Sequence, residues 1–290
     1  MDTLSKLKRL DYTSATPDTV RDILSEVQLA TIEYTIPSNF YILRGRKGLN
    51  INKREDMTYC PVNLCKNIQR ATLAGQTMFY GVISDNQSHL ENARAICAIE
   101  CSELCREGIL SSGRETFTIS HWVVEEPLRV CSFITDTTYT AVSNNELLNQ
   151  MREAFIRIHQ RNNSAETIKM VSRFISDEFS KTINDSSEYI ISATIASDFI
   201  NNLGFDGVIY PSVKLGGQAG LNIALSPQAV DTKLSFRRTL VQTLYKNGDK
   251  IFVRIESANE DGISTKILHV SDNEVAKIIG IDDIYCLPIR

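Results

Sequence analysis

The sequence predicts an α+β protein with helical additions and a C-terminal β extension. Short runs of apolar, β-branched and aromatic residues, Val208-Ile209-Tyr210 above all, read as buried strands. Between residues 143 and 203 helix-start signals take over. After Asp231 the pattern returns to strands, over residues 236–245, 250–256 and 265–270, with Asn247-Gly248-Asp249 as a hairpin turn.

Taken in order, Thr16-Pro17-Asp18 starts a helix, since threonine can cap, proline is tolerated at the first helical position and an acid suits the positive end of the dipole. Val20, Ile23, Leu24 and Val27 fall on one face of it. That face is expected to pack on the core, with partner binding as the alternative. Phe40-Tyr41-Ile42-Leu43 begins a strand that ends in Arg44-Gly45-Arg46-Lys47. Arg44 follows four apolar or aromatic residues and is drawn towards the sheet, where a guanidinium suits a bidentate anion. Arg46 is the alternative, and strand alternation sets both on the same face. After a loop running to Cys60-Pro61-Val62-Asn63, Met78-Phe79-Tyr80 reads as a short buried strand preceded by Arg70-Ala71-Thr72. Tyr80 is either a core residue or a platform for a ligand.

Residues 88–107 read as one helix, with Cys97, Cys101 and Cys105 sharing a face. One helical turn between successive sulfurs makes no compact tetrahedral site, so these thiols are expected to pack. Glu100 sits between Ile99 and Cys101, where a carboxylate is unusual unless it faces a pocket. Glu91 competes with it, although its polar surroundings suit an exposed first-turn residue. Residues 116–125 and 128–135 are expected to form a hairpin across Glu125-Glu126-Pro127, with His121 packed beside the single tryptophan, Trp122. Ser143-Asn144-Asn145-Glu146 is a capping box ahead of Leu147, Leu148, Met151, Phe155 and Ile158; Asn163-Ser164-Ala165-Glu166 opens a second helix, and a third spans about 187–203.

The stretch from Gly204 to Asp231 organises the rest. Phe205-Asp206-Gly207 gives a turn, Val208-Ile209-Tyr210 a strand, and Leu221-Asn222-Ile223-Ala224-Leu225 the returning strand, closed by Ser226-Pro227. Proline lacks an N–H for the ladder, so the strand is expected to stop at Pro211 and Ser212 to leave the sheet edge with its hydroxyl free to meet a ligand. Gly216-Gly217-Gln218-Ala219-Gly220 reads as a flexible loop.

The string Asp-Gly-Val-Ile-Tyr-Pro-Ser at 206–212, the glycine-rich gap, Leu-Asn-Ile-Ala-Leu and then Pro-Gln-Ala-Val-Asp strongly resemble the C-terminal signature of RES domains. Two further blocks resemble the same family: Arg44 after its apolar run, and Arg70 ahead of an aromatic strand ending in Tyr80-Gly81. Here Arg70-Ala71-Thr72 departs from the commoner Arg-Ala-Asn. The family's glutamate lies on a helix soon after the Tyr-Gly strand, which points to Glu100, at a longer spacing than usual, with Glu91 at the usual one. The resemblance implies a fold similar to ADP-ribosyltransferases, with a mixed or split sheet, and cleavage of NAD at its nicotinamide–ribose bond. It implies a toxin that depletes NAD, of the toxin–antitoxin type neutralised by a helix-turn-helix (Xre-type) antitoxin. It implies catalytic roles for Arg44, Glu100 and Ser212, and NAD contacts for Arg44, Arg46, Arg70, Tyr80 and Ser212.

Those residue types suit that chemistry. Arginine forks neutralise a pyrophosphate, an aromatic face stacks on nicotinamide, and a carboxylate near the ribose stabilises the positive charge that grows as nicotinamide leaves. NAD is then the substrate and no cofactor or metal is called for. Water as acceptor gives a glycohydrolase, inorganic phosphate a phosphorylase, and a protein side chain an ADP-ribosyltransferase. The alternative class is a catalytically inactive nucleotide-binding or interaction module. Because family toxins are usually shorter, residues 1–36 read as a helical extension, 37–235 as the RES-like domain with a helical insertion at about 143–203, and 236–290 as a C-terminal β-rich extension.

Composition bounds the rest. With 290 residues, 42% of them apolar, the chain can bury a sizeable core. A net charge of −4 lacks the basic surplus of a nucleic-acid binder. Seven irregularly spaced cysteines suit reduced thiols, and neither a signal-peptide core nor an 18-residue apolar run is present. A cytoplasmic protein with no membrane partner is expected. No Walker loop, Gly-x-Gly-x-x-Gly, His-Glu-x-x-His or Cys-x-x-Cys occurs, so kinase, Rossmann and zinc-protease readings lack local support.

Overall fold

The computed structural model describes residues 2–27, 29, 32–49, 51, 53–84, 90–108, 110–138, 145–161, 166–212, 220–260, 263–267 and 270–290. In chain order the helices are α1 (Thr3–Lys8), α2 (Pro17–Leu24), α3 (Arg54–Met57), α4 (Leu90–Cys101), α5 (Glu103–Arg106), α6 (Glu146–Arg161), α7 (Glu166–Ser180), α8 (Ile190–Asn201), α9 (Pro227–Lys233) and α10 (Asp272–Ile279). The strands are β1 (Ile32–Ile36), β2 (Tyr41–Lys47), β3 (Phe79–Ser84), β4 (Ser112–Val124), β5 (Leu128–Ser132), β6 (Gly207–Pro211), β7 (Leu221–Leu225), β8 (Leu234–Asn247), β9 (Lys250–Glu260) and β10 (Ile263–Lys266). The protein is α+β, as its sequence predicts. Among the described residues no helix is long and apolar enough to cross a membrane.

The chain divides into two compact units, neither contiguous in sequence. The first gathers Met1–Pro37, Tyr59–Tyr80 and Glu126–Lys233. Its strands run in the order β1-β5-β6-β7, with β5 and β6 parallel and the other pairs antiparallel. Both β6 and β7 are buried along their whole length, which is why they read as unbroken apolar runs. Helix α8 is buried almost all round and packs against α2, α7 and β6. Phe133 stacks on Phe179 at 4.3 Å and meets Phe199 edge-on, joining the β5 end to α7 and α8.

Helix α2 forms as its sequence requires: the Thr16 hydroxyl accepts from the Thr19 N–H at 3.2 Å, and Val20 is buried with Ile23, Leu24 and Val27 packed on the same core. Arg21 clamps Asp198 of α8 through Nε and Nη2, which fixes this helix to the unit. At α6 the cap differs from the expected box. Asn145 accepts from the Leu148 N–H at 3.0 Å, an amide oxygen doing what a hydroxyl was expected to do, while Ser143 and Asn144 lie outside the described residues. Asn163, Ser164 and Ala165 of the second capping signal lie outside them too, and α7 begins at Glu166.

The second unit gathers Ser38–Thr58, Gly81–Glu125 and Leu234–Arg290. Its strands run β3-β2-β4-β8-β9-β10, all antiparallel. Helix α4 packs on β2 and β4, and α10 on β8 and β9. The expected hairpin between residues 116–125 and 128–135 does not form: β4 lies between β2 and β8 in this unit, whereas β5 lies between β1 and β6 in the other. Local turn signals were right about the break at 125–127, but long-range ladders decide the pairing. The expected helix over 88–107 is broken at Ser102, whose hydroxyl caps α5 by accepting from the Cys105 N–H and donates to the buried Glu115 carboxylate. Cys97, Cys101 and Cys105 are therefore not a single helical row, and none of the seven cysteines is in a disulfide.

Candidate functional site

The turn before β6 is built by Asp206. Its carboxylate accepts from the Arg129 N–H at 2.7 Å and pairs with Lys233 at 2.7 Å. Gly207 follows because a Cβ there would overlap the Ala224 carbonyl across the β6–β7 ladder. After the returning strand, Ser226 caps α9 by accepting from the Ala229 N–H, and Asp231 accepts from the Tyr59 hydroxyl at 2.6 Å. Much of the signature stretch thus holds its own hairpin together.

Ser212 departs from expectation. It is 2% exposed, and its N–H donates to the Gly220 carbonyl at 2.9 Å. The ladder therefore continues past Pro211, which pairs with Leu221. Successive residues of an antiparallel strand turn their N–H groups to opposite sides, so with Ser212 bonding towards β7 the nitrogen of Pro211 faces the β5 side. There β5 has ended at Ser132, opposite Ile209. The Phe133 N–H still donates to the Ile209 carbonyl at 2.9 Å, but proline has no N–H to continue that ladder, so Pro211 ends the pairing with β5 and leaves the pairing with β7 intact. Val213 to Ala219, including most of the glycine-rich loop, lie outside the described residues.

Arg70 and Tyr80 belong to the same unit, whose boundary falls within β3 after Tyr80. The Tyr80 hydroxyl accepts from the Ala71 N–H at 3.2 Å and bonds the Thr72 hydroxyl, so the Arg-Ala-Thr block and the aromatic strand are held to each other. The Arg70 guanidinium donates to the carbonyls of Phe179 at 2.7 Å and Lys181 at 3.1 Å and to the Tyr189 hydroxyl at 3.0 Å. It thereby satisfies the C-terminal end of α7.

Comparison with known proteins found no family model and no curated protein that matches the chain.

Arg44, Arg46 and Glu100 belong to the second unit. Arg44 and Arg46 are half-buried on β2, and Arg46 donates to the Asp56 carbonyl. Gly45 between them lies against α4: a Cβ there would stand 2.8 Å from Cys101 Sγ and 3.3 Å from the Cys97 carbonyl. By alternation Arg44 and Arg46 leave β2 from the opposite face, the one that carries Ser120 and Trp122 on β4. Glu100 is half-buried on α4, whereas Glu91 is 87% exposed, its ion pair among the described residues being with Arg94 at 3.7 Å. Cys97 lies between them in sequence on α4, and its thiol donates to the Leu43 carbonyl at 3.2 Å. Burial pushes that thiol well up, Cys101 and Glu100 push it further, and Arg44 opposes them.

His121 is buried, as expected beside Trp122, and burial followed by the charges of Arg238 and Arg94 lowers its pKa to about 3. The sequence reading missed Arg94 and Arg238, because the long-range β4–β8 ladder and the seat of α4 on β4 are what bring them towards His121.

Proposed function

We propose that this chain is a RES-like enzyme that cleaves the nicotinamide–ribose bond of NAD, with an ADP-ribosyltransferase-like arrangement of its α+β core. The observation that carries the reading is the signature from Asp206 to Ser212 and from Leu221 to Asp231, folded as β6, β7 and α9. The pairing of the Arg70 block with Tyr80 supports it, since the two halves of the family's second block meet through the tyrosine hydroxyl.

On this reading the Arg44 fork neutralises the pyrophosphate, with Arg46 and Arg70 as further NAD contacts. Tyr80 offers an aromatic face. The Glu100 carboxylate stabilises the oxocarbenium-like charge as the glycosidic C–N bond breaks and nicotinamide departs with the bonding pair. Water or phosphate then supplies the new bond at the ribose carbon. The reaction calls for no cofactor, and the biological role is NAD depletion by a toxin that a helix-turn-helix antitoxin neutralises.

One observation favours a second reading, a nucleotide-binding module without turnover. The helix carrying Glu100 packs on the face of β2 opposite to the one from which Arg44 departs. Incubation of the protein with NAD and a chelator, with and without phosphate, separates the two readings. Free nicotinamide is the expected product, and the ADP-ribose species formed names the acceptor. NAD binding with no nicotinamide under either condition supports the module instead.

A further inference from the structure

We propose that Arg94, Arg238 and His121 form a binding site for a phosphate-type oxyanion on the α4 face of the β4–β8 ladder. The site lies within the second unit and does not rest on the NAD reading.

Its geometry starts from the sheet. His121 on β4 stands directly opposite Arg238 on β8, and the register shifts immediately afterwards, so that Trp122 pairs with Phe236 and Arg237 is the extra residue. Such a bulge re-aims the side chains beside it. Two rungs along the same face of β8, Leu240 and Gln242 follow Arg238, and Gln242 Nε2 donates to the Arg94 carbonyl at 3.2 Å. That bond sets the Arg94 turn of α4 above the strand that carries Arg238.

The groups gathered there are poorly satisfied by the protein itself. The Arg94 side chain is 14% exposed, and its ion pair among the described residues is with Glu91, an exposed carboxylate 3.7 Å away. The Arg238 guanidinium has no ion pair among the described residues, although Glu260 stands opposite it on β9. His121 is 2% exposed and its Nε2 has no hydrogen-bond partner among the described residues. A buried polar atom left unpaired is costly, and two half-buried guanidiniums whose one ion pair among the described residues is a 3.7 Å contact with an exposed carboxylate are weakly compensated. The two arginines sense each other, since the Arg94 pKa is lowered first by burial and also by Arg238.

A tetrahedral dianion resolves all three deficits. Each guanidinium offers a planar fork of donors to two oxygens, and a neutral imidazole with its proton on Nε2 donates to a third. With two cations already present, a neutral donor suffices as the third member, and in the anion-free protein burial and then Arg238 and Arg94 lower the His121 pKa to about 3. The ligand class is therefore inorganic phosphate or a phosphomonoester group.

The test is calorimetric titration of the full chain with inorganic phosphate, alongside NMR of the histidine rings. Saturable binding, displacement by sulfate and a phosphate-dependent shift of the His121 ring signals are expected. Arg94→Gln and Arg238→Gln each remove a charge-assisted contact, so each should weaken phosphate about 10- to 100-fold, with thermal stability equal to wild type or higher. Should either variant fail to fold, Arg238→Lys keeps the charge, loses the fork and should still weaken phosphate by several-fold. Absence of saturable binding overturns the proposal. So does phosphate binding that survives both folded arginine variants and is lost in Arg44→Lys, which would move the anion elsewhere while leaving the NAD reading intact.

Discussion

Gly45 lies so close beneath α4 that a Cβ on it would stand 2.8 Å from the sulfur of Cys101. The same hypothetical atom would come within 3.0 Å of Ile119 on β4. Gly45→Ala should therefore overpack the helix–sheet contact and cost about 1–3 kcal/mol, read as a lower denaturation midpoint in urea. A variant as stable as wild type would show that α4 rides further from β2 than described.

Arg70 and Arg44 should behave differently when changed to lysine. Arg70 bridges two carbonyls at the end of α7 and the Tyr189 hydroxyl, a geometry that one ammonium cannot reproduce. Arg70→Lys is expected to lose about 1–3 kcal/mol of stability. Arg44→Lys should leave thermal unfolding near wild type and lower NAD affinity, measured by calorimetry. If instead Arg70→Lys keeps full stability, the arginine does not brace the end of α7, and any loss of NAD affinity is its ligand role alone.

His121 gives the fold an acid sensitivity. Its folded pKa of about 3 lies below its ordinary 6.5, so between those values the unfolded chain holds more protons. Its contribution is fully present above the unfolded value and is lost as pH falls through that window. At about 1.4 kcal/mol per pKa unit, the loss is on the order of a few kcal/mol. Urea titrations in phosphate-free buffer from pH 7 down to pH 4 should show wild type losing more stability than His121→Gln. Parallel slopes would mean that the imidazole is already protonated in the folded state.

How much of this was legible in the sequence depended on whether the deciding force was local. The Thr16 cap, the β6 and β7 strands and the packed His121 all follow from short-range chemistry, and each is found. The partnership of β4 with β8 was hidden because their ladder joins residues more than a hundred positions apart, while Glu125-Glu126-Pro127 looked like an ordinary hairpin turn. Pro211 was misread for a subtler reason: a proline ends only the ladder its nitrogen faces, here the one to β5, while Ser212 continues the one to β7. Helix α10 was readable and overlooked. Ser271 and Glu274 form a reciprocal capping box, and Gly280 closes the helix in the left-handed conformation. Of the candidate site, residue types could be chosen from motifs, but the face from which Arg44 leaves β2 depends on the close seat of α4 over Gly45.

The most direct measurement of the central claim is the rate of nicotinamide release from NAD by wild type, Glu100→Gln and Glu91→Gln, each verified as folded. Glu100 is half-buried on α4 and Glu91 is exposed near its start. Removing one well-placed charge-stabilising group costs on the order of 100- to 1000-fold in rate, so wild type should release nicotinamide and Glu100→Gln should be slower by that factor. Glu91→Gln should stay within about two-fold of wild type, as an exposed substitution away from the chemistry. No nicotinamide from wild type, or a loss confined to Glu91→Gln, would contradict the account.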